Sequence, residues 1–262
     1  MFEQRIFVRF TRIDGYLHVL LLIFPLIYLI SPANLFSYKT ILVFFANLFL
    51  TAFGYVFNDV EDAEDDYHDV EKRKRNPISS GEITKRQSYL FSFLLLSAGL
   101  SLLLFVNASV FILGLIFAFV GFVYSWKSLR LKSIPIWDLI SHVFFLGVLQ
   151  FLITYLAFRP LDLFVAPFLM IIIPFSVMNE IIGELKDLNV DKKTNINNTV
   201  QKLKSFDLSR LLIISVIMAI LGFSIIIYSI PTKYRIVNLA ILVTGFAAIG
   251  HLAVRARYQG NL

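Results

Sequence analysis

Apolar residues in this chain are gathered into long runs instead of alternating with polar ones. Eight runs approach the roughly 20 residues that a hydrocarbon layer demands of a spanning helix: 15–31, 39–57, 87–106, 108–126, 136–158, 161–183, 208–230 and 234–254. Between them lie short polar turns and two longer charged connections, 58–86 and 184–207. The pattern predicts an all-α, polytopic transmembrane helix bundle of about eight spans, organised as a single integral-membrane domain over residues 1–262. The first run follows Glu3, Arg5, Arg9 and Arg12 and so has the outline of a signal peptide. It lacks a small-residue cleavage site and leads directly into a second span, which marks it as a mature helix. Pro25, Pro167 and Pro174 fall inside apolar runs, where neighbouring helices can re-satisfy the backbone of a kink.

Composition agrees with lipid as the surroundings. Of 262 residues, 58% are hydrophobic and 16% charged, against roughly 45–50% and 25% in an ordinary soluble domain, and the mean hydropathy is +0.76. The absence of cysteine excludes disulfide frameworks, thiolate metal sites and cysteine nucleophiles together. Four histidines, at 18, 68, 142 and 251, are too few for a histidine-rich metal site. The net charge of +6 would suit nucleic acid in a soluble protein, but in a chain this apolar it encodes topology and points to no nucleic-acid partner. Placing the N-terminus, 58–86, 127–132, 186–210 and the C-terminus on one face collects 20 of the 24 Lys and Arg there, leaving Lys39, Arg159, Lys233 and Arg235 opposite. That face is therefore expected to be cytoplasmic, with both termini inside. It also carries both long polar connections.

The first connection opens Asn58-Asp59-Val60-Glu61-Asp62-Ala63-Glu64-Asp65-Asp66, and nine of the 18 acidic residues lie between Asp59 and Glu82. Asn58, Asp62 and Asp66 are four apart, so if the preceding helix continues they share one face and can converge on a hard cation. A charge run is ordinarily a solvated loop, but this one is regularly spaced, sits at a helix end and has a counterpart. The counterpart is Glu184-Leu185-Lys186-Asp187-Leu188-Asn189-Val190-Asp191, again following an apolar run and again with carboxylates four apart. Two acidic clusters packed together repel unless divalent cations and a polyanion are shared between them. Mg²⁺ suits such a site because it binds through a few carboxylates plus substrate phosphates, and metal-bridged diphosphate is the natural ligand.

These residues resemble the UbiA superfamily of intramembrane prenyltransferases. Its NDxxDxxxD signature is matched by Asn58, Asp59, Asp62 and Asp66, and its DxxxD signature by Asp187 and Asp191. The stretch Lys74-Arg75-Asn76-Pro77-Ile78-Ser79-Ser80-Gly81-Glu82-Ile83 is similar to the family's RPxxxGxI-like segment, with Asn76 where Arg is usual, and Tyr124-Ser125-Trp126-Lys127 is similar to the stretch ending its fourth span. Similarity covers nearly the whole chain, although the family usually has nine helices against eight runs here. The resemblance implies Mg²⁺-dependent transfer of a prenyl group from an allylic polyprenyl diphosphate to a lipophilic or ring-bearing acceptor, with release of diphosphate. It implies metal ligation by Asn58, Asp62, Asp66, Asp187 and Asp191, and phosphate contacts from Lys127, with Arg12, Lys72, Arg73 and Arg75 as further candidates and Tyr124 as a hydrogen-bond donor. Asp62, Asp66, Asp187, Asp191 and Lys127 are then the catalytic set.

Other polar groups have simpler readings. For the basic loop residues, topology and lipid-headgroup contacts compete equally with substrate binding. Asn179 and Glu180 precede Glu184 by about one turn, where an ionisable residue in a span suggests function, and Glu180 is a candidate to orient the acceptor. Asp59 reads as the partner of a basic neighbour. His18, His142 and Gln150 read as interhelical hydrogen-bonding groups. The 27 Phe supply an apolar chamber without singling out one residue. The alternative of a different class is a cation-coupled secondary transporter, for which carboxylates would sit near the bilayer midplane. A CDP-alcohol phosphotransferase would carry a DGxxAR-type signature that is absent here.

Overall fold

The computed structural model describes residues 2–20, 22–193 and 197–229. Every regular element among the described residues is helical: α1 (Phe2–Thr11), α2 (Ile13–Leu20), α3 (Ile23–Ile30), α4 (Tyr38–Asp66), α5 (Val70–Arg75), α6 (Lys85–Leu104), α7 (Ala108–Ser125), α8 (Trp137–His142), α9 (Gln150–Phe158), α10 (Val165–Lys193), α11 (Thr199–Lys202) and α12 (Ser205–Ser229). Between α8 and α9 the helix widens into a π-helical segment, Val143–Leu149, so that Trp137–Phe158 crosses as one unit. Six of these elements, α4, α6, α7, the α8–α9 unit, α10 and α12, are long and apolar enough to span a membrane. The chain is an integral membrane protein.

The predicted runs and the observed helices differ in instructive places. The first run, 15–31, is divided between α2 and α3. Pro25 sits in the first turn of α3, where it has no N–H to offer the carbonyl four residues back, so a continuous helix loses a bond there. Pro167 likewise lies in a first turn, and only Pro174 is interior to its helix. The second run continues unbroken through the acidic motif to Asp66, and the sixth continues to Lys193. Each of these helices has 29 residues, about 43 Å at 1.5 Å per residue, so each overshoots a hydrocarbon core of about 30 Å and carries its acidic end to the rim. The predicted eighth span, 234–254, lies outside the described residues.

Helix α4 is the central element. Its Val43, Ala46 and Leu50 join Leu103 of α6, Val110 and Phe117 of α7, and Phe145, Leu149, Ile153 and Ala157 of the α8–α9 unit in the largest buried cluster. It packs most extensively on α6, while α10 packs most extensively on α12. Polar ties fix depth inside the bundle: Gln150 Nε2 donates to Thr51 Oγ1 at 2.7 Å, and the buried Asn47 amide reaches Thr154 Oγ1 at 3.4 Å. Side-chain caps set the helix starts, with Ser37 accepting from Thr40 N, Asn107 from Val110 N, and a Thr84–Gln87 capping box opening α6.

Alternate connections gather at opposite ends. At one end Lys39 Nζ donates to Ala157 O at 3.0 Å and Asn107 Nδ2 to Leu156 O at 3.3 Å, tying together the starts of α4 and α7 and the end of α9. At the other, the segments 67–84 and 126–136 surround the end of α4. The α10–α12 contact depends on the absence of a side chain at Gly222. A Cβ there would lie 2.6 Å from Pro167 O and 2.9 Å from Ile171 Cγ1, and backbone cannot retreat as a flexible side chain can. Gly222→Ala is expected to destabilise the protein by about 1–3 kcal/mol, read as a lowered unfolding temperature in detergent; an unshifted temperature would show that α12 does not pack this closely.

Candidate functional site

The end of α4 is a knot of ion pairs. Asp62 receives Asn58 Nδ2 at 3.0 Å, Arg130 Nη2 at 2.9 Å, and Lys132 Nζ at 2.5 Å to each carboxylate oxygen. The same Lys132 ammonium donates to Asn58 Oδ1 at 2.7 Å, and Ser125 Oγ donates to that oxygen at 3.1 Å. Arg130 also reaches Asp65 at 2.6 Å. Lys132, Arg130 and Asp62 are 11%, 16% and 16% exposed, so these charges are held largely out of water and removing one would leave its partners uncompensated. About one turn before Asp62 on α4, Arg12 is paired with the fully buried Asp59. Its guanidinium lies 5.6 Å from the Tyr55 ring centroid. Burial by itself would lower the Arg12 pKa, but the Asp59 carboxylate, with Tyr55 and Asp66, lifts it above the ordinary value. Arg130 is raised in the same way, with Asp62 and Asp65 overcoming the desolvation.

Both arginines sit at left-handed backbone, with φ of 51° at Arg12 and 42° at Arg130. For a non-glycine residue that conformation costs roughly 1–2 kcal/mol. Such strain persists where the surroundings over-determine it, and here each strained position delivers a guanidinium to an aspartate of the first motif. Asp66 is buried and accepts from Asn76 Nδ2 at 3.0 Å, while the same amide donates to Asp59 O at 2.8 Å. Asn76 thereby ties the loop after α5 onto the motif.

The second acidic motif meets the first through α5. Lys72 Nζ lies 3.5 Å from Asp187 Oδ2 and is near enough to Asp66 for its charge to act there. Asp187 and Asp66 therefore occupy the same end of the bundle, both within reach of the Lys72 charge. Asp191 lies in the helical backbone of α10, and its side chain lies outside the described residues. Just before the motif, Glu184 accepts from Val200 N at 2.8 Å, and Asp138 accepts from Thr199 N at 2.5 Å and from its hydroxyl. These two acids pin the chain beyond α10 against the start of α8.

About one turn deeper is a smaller polar group. Tyr124 Oη donates to Glu180 Oε1 at 3.0 Å, and His142 Nε2 lies 3.1 Å from Glu180 Oε2. The Tyr124, His142 and Phe145 rings adjoin one another with centroids 5.3–6.3 Å apart. Phe145 fills the space beside Gly54 and Gly121, with its ring 3.7 Å and 3.6 Å from where their Cβ atoms would be. The wall of the bundle inside the acidic rim is thus aromatic with one carboxylate and one imidazole.

Several residues singled out by sequence take different positions from those expected. Lys127 Nζ pairs with Glu64 at 2.5 Å on the exposed side of α4, which raises its pKa, and is not among the groups on Asp62. Its backbone N–H, not its ammonium, reaches inward, to Glu61 Oε2 at 2.9 Å. Tyr124 is committed to Glu180, and Arg75 is exposed, acting on Asp59 and Asp66 only through its charge. Arg130 and Lys132 are the cations of this link that reach Asp62. The chain turns sharply at Trp126, and three to five residues past Lys127 return to α4 where Lys127 itself does not. The available signal was the Lys127-Ser128-Leu129-Arg130-Leu131-Lys132 run, three cations in six residues directly after a span. His142 was read as an interhelical hydrogen-bonding group, and its contact with Glu180 joins α8 to α10.

A hard divalent cation suits the Asn58–Asp62 oxygens, because those oxygens already converge on one cation, the Lys132 ammonium. Among the described residues no three acidic or imidazole groups form a closed metal cage. Mg²⁺ would need such an incomplete set, since it is usually bound by one or two carboxylates with phosphate oxygens and water completing the octahedron.

Comparison with known proteins gives a consistent result. Residues 19–262 match the model of the UbiA prenyltransferase family. A digeranylgeranylglyceryl phosphate synthase of Methanothrix thermoacetophila is 32% identical over 191 residues, 71% of this chain and 68% of that relative. A 4-hydroxybenzoate octaprenyltransferase of Legionella pneumophila is 30% identical over 127 residues, 47% of this chain and 45% of that relative, so the chain spans less than half the length of that protein. The solved structure of a UbiA homolog from Archaeoglobus fulgidus, bound to GPP and Mg²⁺, shares the fold with a TM-score of 0.74 at 22% identity, over 95% of this chain and 87% of that one.

The Arg12–Asp59 pair gives a direct test of this end of the bundle. Arg12→Ala strands a buried carboxylate and is expected to cost about 3–5 kcal/mol, measured as unfolding in detergent, while adding Asp59→Asn to it recovers most of the loss. A double variant no more stable than Arg12→Ala would show that the two groups are not coupled.

Proposed function

The chain belongs to the UbiA prenyltransferase family, and from that premise we propose that it is a Mg²⁺-dependent intramembrane prenyltransferase. It transfers a prenyl group from an allylic polyprenyl diphosphate to a lipophilic or ring-bearing acceptor and releases diphosphate. The observation that carries this reading is the convergence of Asn58, Asp62, Arg130 and Lys132 at the mouth of an apolar bundle, with Lys72 reaching across to Asp187. Asn58, Asp62, Asp66, Asp187 and Asp191 would hold the metal ions between them, with one or two carboxylates to each. When bound, Mg²⁺ supplies Lewis-acid neutralisation of the charge that develops on the departing diphosphate.

The remaining work falls to side chains of this chain. Lys132 and Arg130 transfer their hydrogen bonds from Asp62 to phosphate oxygens, with lysine acting as a point charge and arginine as a planar fork. Arg130 Nε is buried and has no partner, so it has a donor to spare for an anion. Arg12 holds Asp59 neutralised, which lowers the repulsion a diphosphate would meet on approaching α4. Arg75 and Lys127 stand outside the mouth and add attraction at longer range. The adjoining Tyr124 and Phe145 rings would offer π-electron density to an allylic carbon held inside the acidic rim and help exclude water that would intercept it. The basic end is cytoplasmic by the distribution of Lys and Arg, and surrounding lipid admits both the prenyl tail and a lipophilic acceptor.

Purified protein with geranylgeranyl diphosphate, Mg²⁺ and either 4-hydroxybenzoate or geranylgeranylglyceryl phosphate is expected to yield a prenylated product detectable by mass spectrometry. Chelation by EDTA abolishes it. Asp62→Ala lowers the rate by about 10²–10³-fold or more, the range for removing one group that stabilises developing charge. Undiminished transfer by Asp62→Ala would remove the proposed centre.

A further inference from the structure

Prenyl transfer to a neutral hydroxyl leaves one proton to be placed, and nothing at the metal end is suited to take it. Asp62 and Asp66 would be engaged by metal, and the other carboxylates there are already paired, Asp59 with Arg12, Glu61 with Tyr89 and Lys127 N, Glu64 with Lys85 and Lys127, and Asp65 with Arg130. One turn deeper, His142 is held in a defined tautomer. Its Nε2 faces Glu180 Oε2 at 3.1 Å, and a carboxylate can only accept, so the ring proton resides on Nε2 and Nδ1 presents a lone pair. That Nδ1 is buried without a hydrogen-bond partner. An orphaned acceptor inside a bundle is rare in folded chains and marks a place that a ligand group completes.

The surroundings leave His142 free for this role. Glu180 is satisfied on both oxygens, by Tyr124 Oη and His142 Nε2. Asp138, one turn earlier on α8, is committed to Thr199 and to Leu139 N, and Glu184, about one turn nearer the rim than Glu180, accepts from Val200 N through Oε2 and keeps Oε1 unpartnered. The helix departs from α geometry at Val143–Leu149, immediately after His142, and such π segments recur at functional sites. Position is also favourable. Ser125 donates to Asn58 Oδ1 at 3.1 Å, and its neighbour Tyr124 donates to Glu180 Oε1 at 3.0 Å. The Glu180–His142 pair thus sits about one turn inside the diphosphate end, where the allylic carbon must lie.

We infer that Glu180 and His142 form a carboxylate–imidazole dyad that binds the hydroxyl of the acceptor and takes its proton, which rests on the prenyltransferase reading and supplies the base for it. The acceptor oxygen bonds to the prenyl C1, and the C1–O bond to diphosphate breaks with its electron pair departing on the diphosphate. The hydroxyl proton passes to His142 Nδ1, and the resulting imidazolium is neutralised by Glu180. His142 is then a catalytic residue, and Glu180 a positioning residue that sets its tautomer.

The test uses full-length protein in detergent with geranylgeranyl diphosphate, Mg²⁺ and geranylgeranylglyceryl phosphate as the alcohol. His142→Gln keeps a donor toward Glu180 but offers no basic nitrogen. It is expected to lower transfer by about 10²–10⁴-fold, the usual range for a general base, while geranylgeranyl diphosphate binds within about twofold of wild type. His142→Gly is expected to regain transfer with added imidazole, which a purely structural role would not produce. Glu180→Gln lowers transfer with unchanged diphosphate binding. Transfer by His142→Gln at the wild-type rate, or loss of activity in His142→Gly that imidazole does not restore, overturns the dyad while leaving the prenyltransferase reading intact. Wild-type protein that transfers no prenyl group to geranylgeranylglyceryl phosphate but does so to 4-hydroxybenzoate overturns the dyad alone, and wild-type protein that transfers to neither and releases no diphosphate overturns both.

Discussion

Helix α4 ends in the wrong charge. Six of its last eight residues are acidic, and its final turn contains no basic residue, although the carbonyl end of a helix is already the negative pole of its dipole. Carboxylates placed there, against a membrane and partly out of water, must be neutralised from elsewhere in the chain. Arg12 arrives from the α1–α2 junction, Lys85 from the start of α6, and Lys127, Arg130 and Lys132 from the link between α7 and α8. One electrostatic demand therefore fixes three remote segments at the same end of the bundle. The left-handed backbone at Arg12 and Arg130 is a local cost offset by the charge each one delivers.

Length and polarity then grade the interior. Because α4 and α10 exceed the hydrocarbon thickness, their acidic ends reach the rim while their apolar turns remain in the bundle. Below the ion pairs comes the layer of Tyr124, Glu180 and His142, and deeper still the polar groups pair off helix to helix, as Gln150 does with Thr51. Charge, then aromatic and imidazole, then closed apolar packing is the order a charged leaving group with an apolar tail would meet on entering from the rim. Under the proposed function the cations that neutralise α4 also receive the diphosphate, so the protein exchanges partners and does not have to expose uncompensated charge.

How much could be read without the fold depends on which interactions are local. The two motifs were legible because helical spacing alone puts Asn58, Asp62 and Asp66 on one face, and the continuation of α4 to Asp66 supplies the helix this required. That Asp59 faces a basic neighbour followed from its place between the motif positions, but nothing in the spacing named Arg12 as the neighbour, 47 residues away. Sequence position does not separate Lys127 from Arg130 and Lys132 as the cation nearest Asp62, because proximity in the chain is a poor guide across a turn. The reversal after Trp126, ending in a strained residue at 130, decides which cation faces α4, and left-handed backbone at arginine has no local signature.

The amino-acid sequence by itself determined that this is a lipid-embedded helical bundle and that two acidic clusters follow apolar helices, since hydropathy and periodicity act over a single helix and do not depend on its neighbours. Tertiary structure alone decided the pairings. It brought Lys132 to Asp62, set Lys72 within reach of both motifs and placed His142 against Glu180. Those contacts are settled by the competition of many side chains for the same buried charges, and such a competition has an outcome only once the helices are packed.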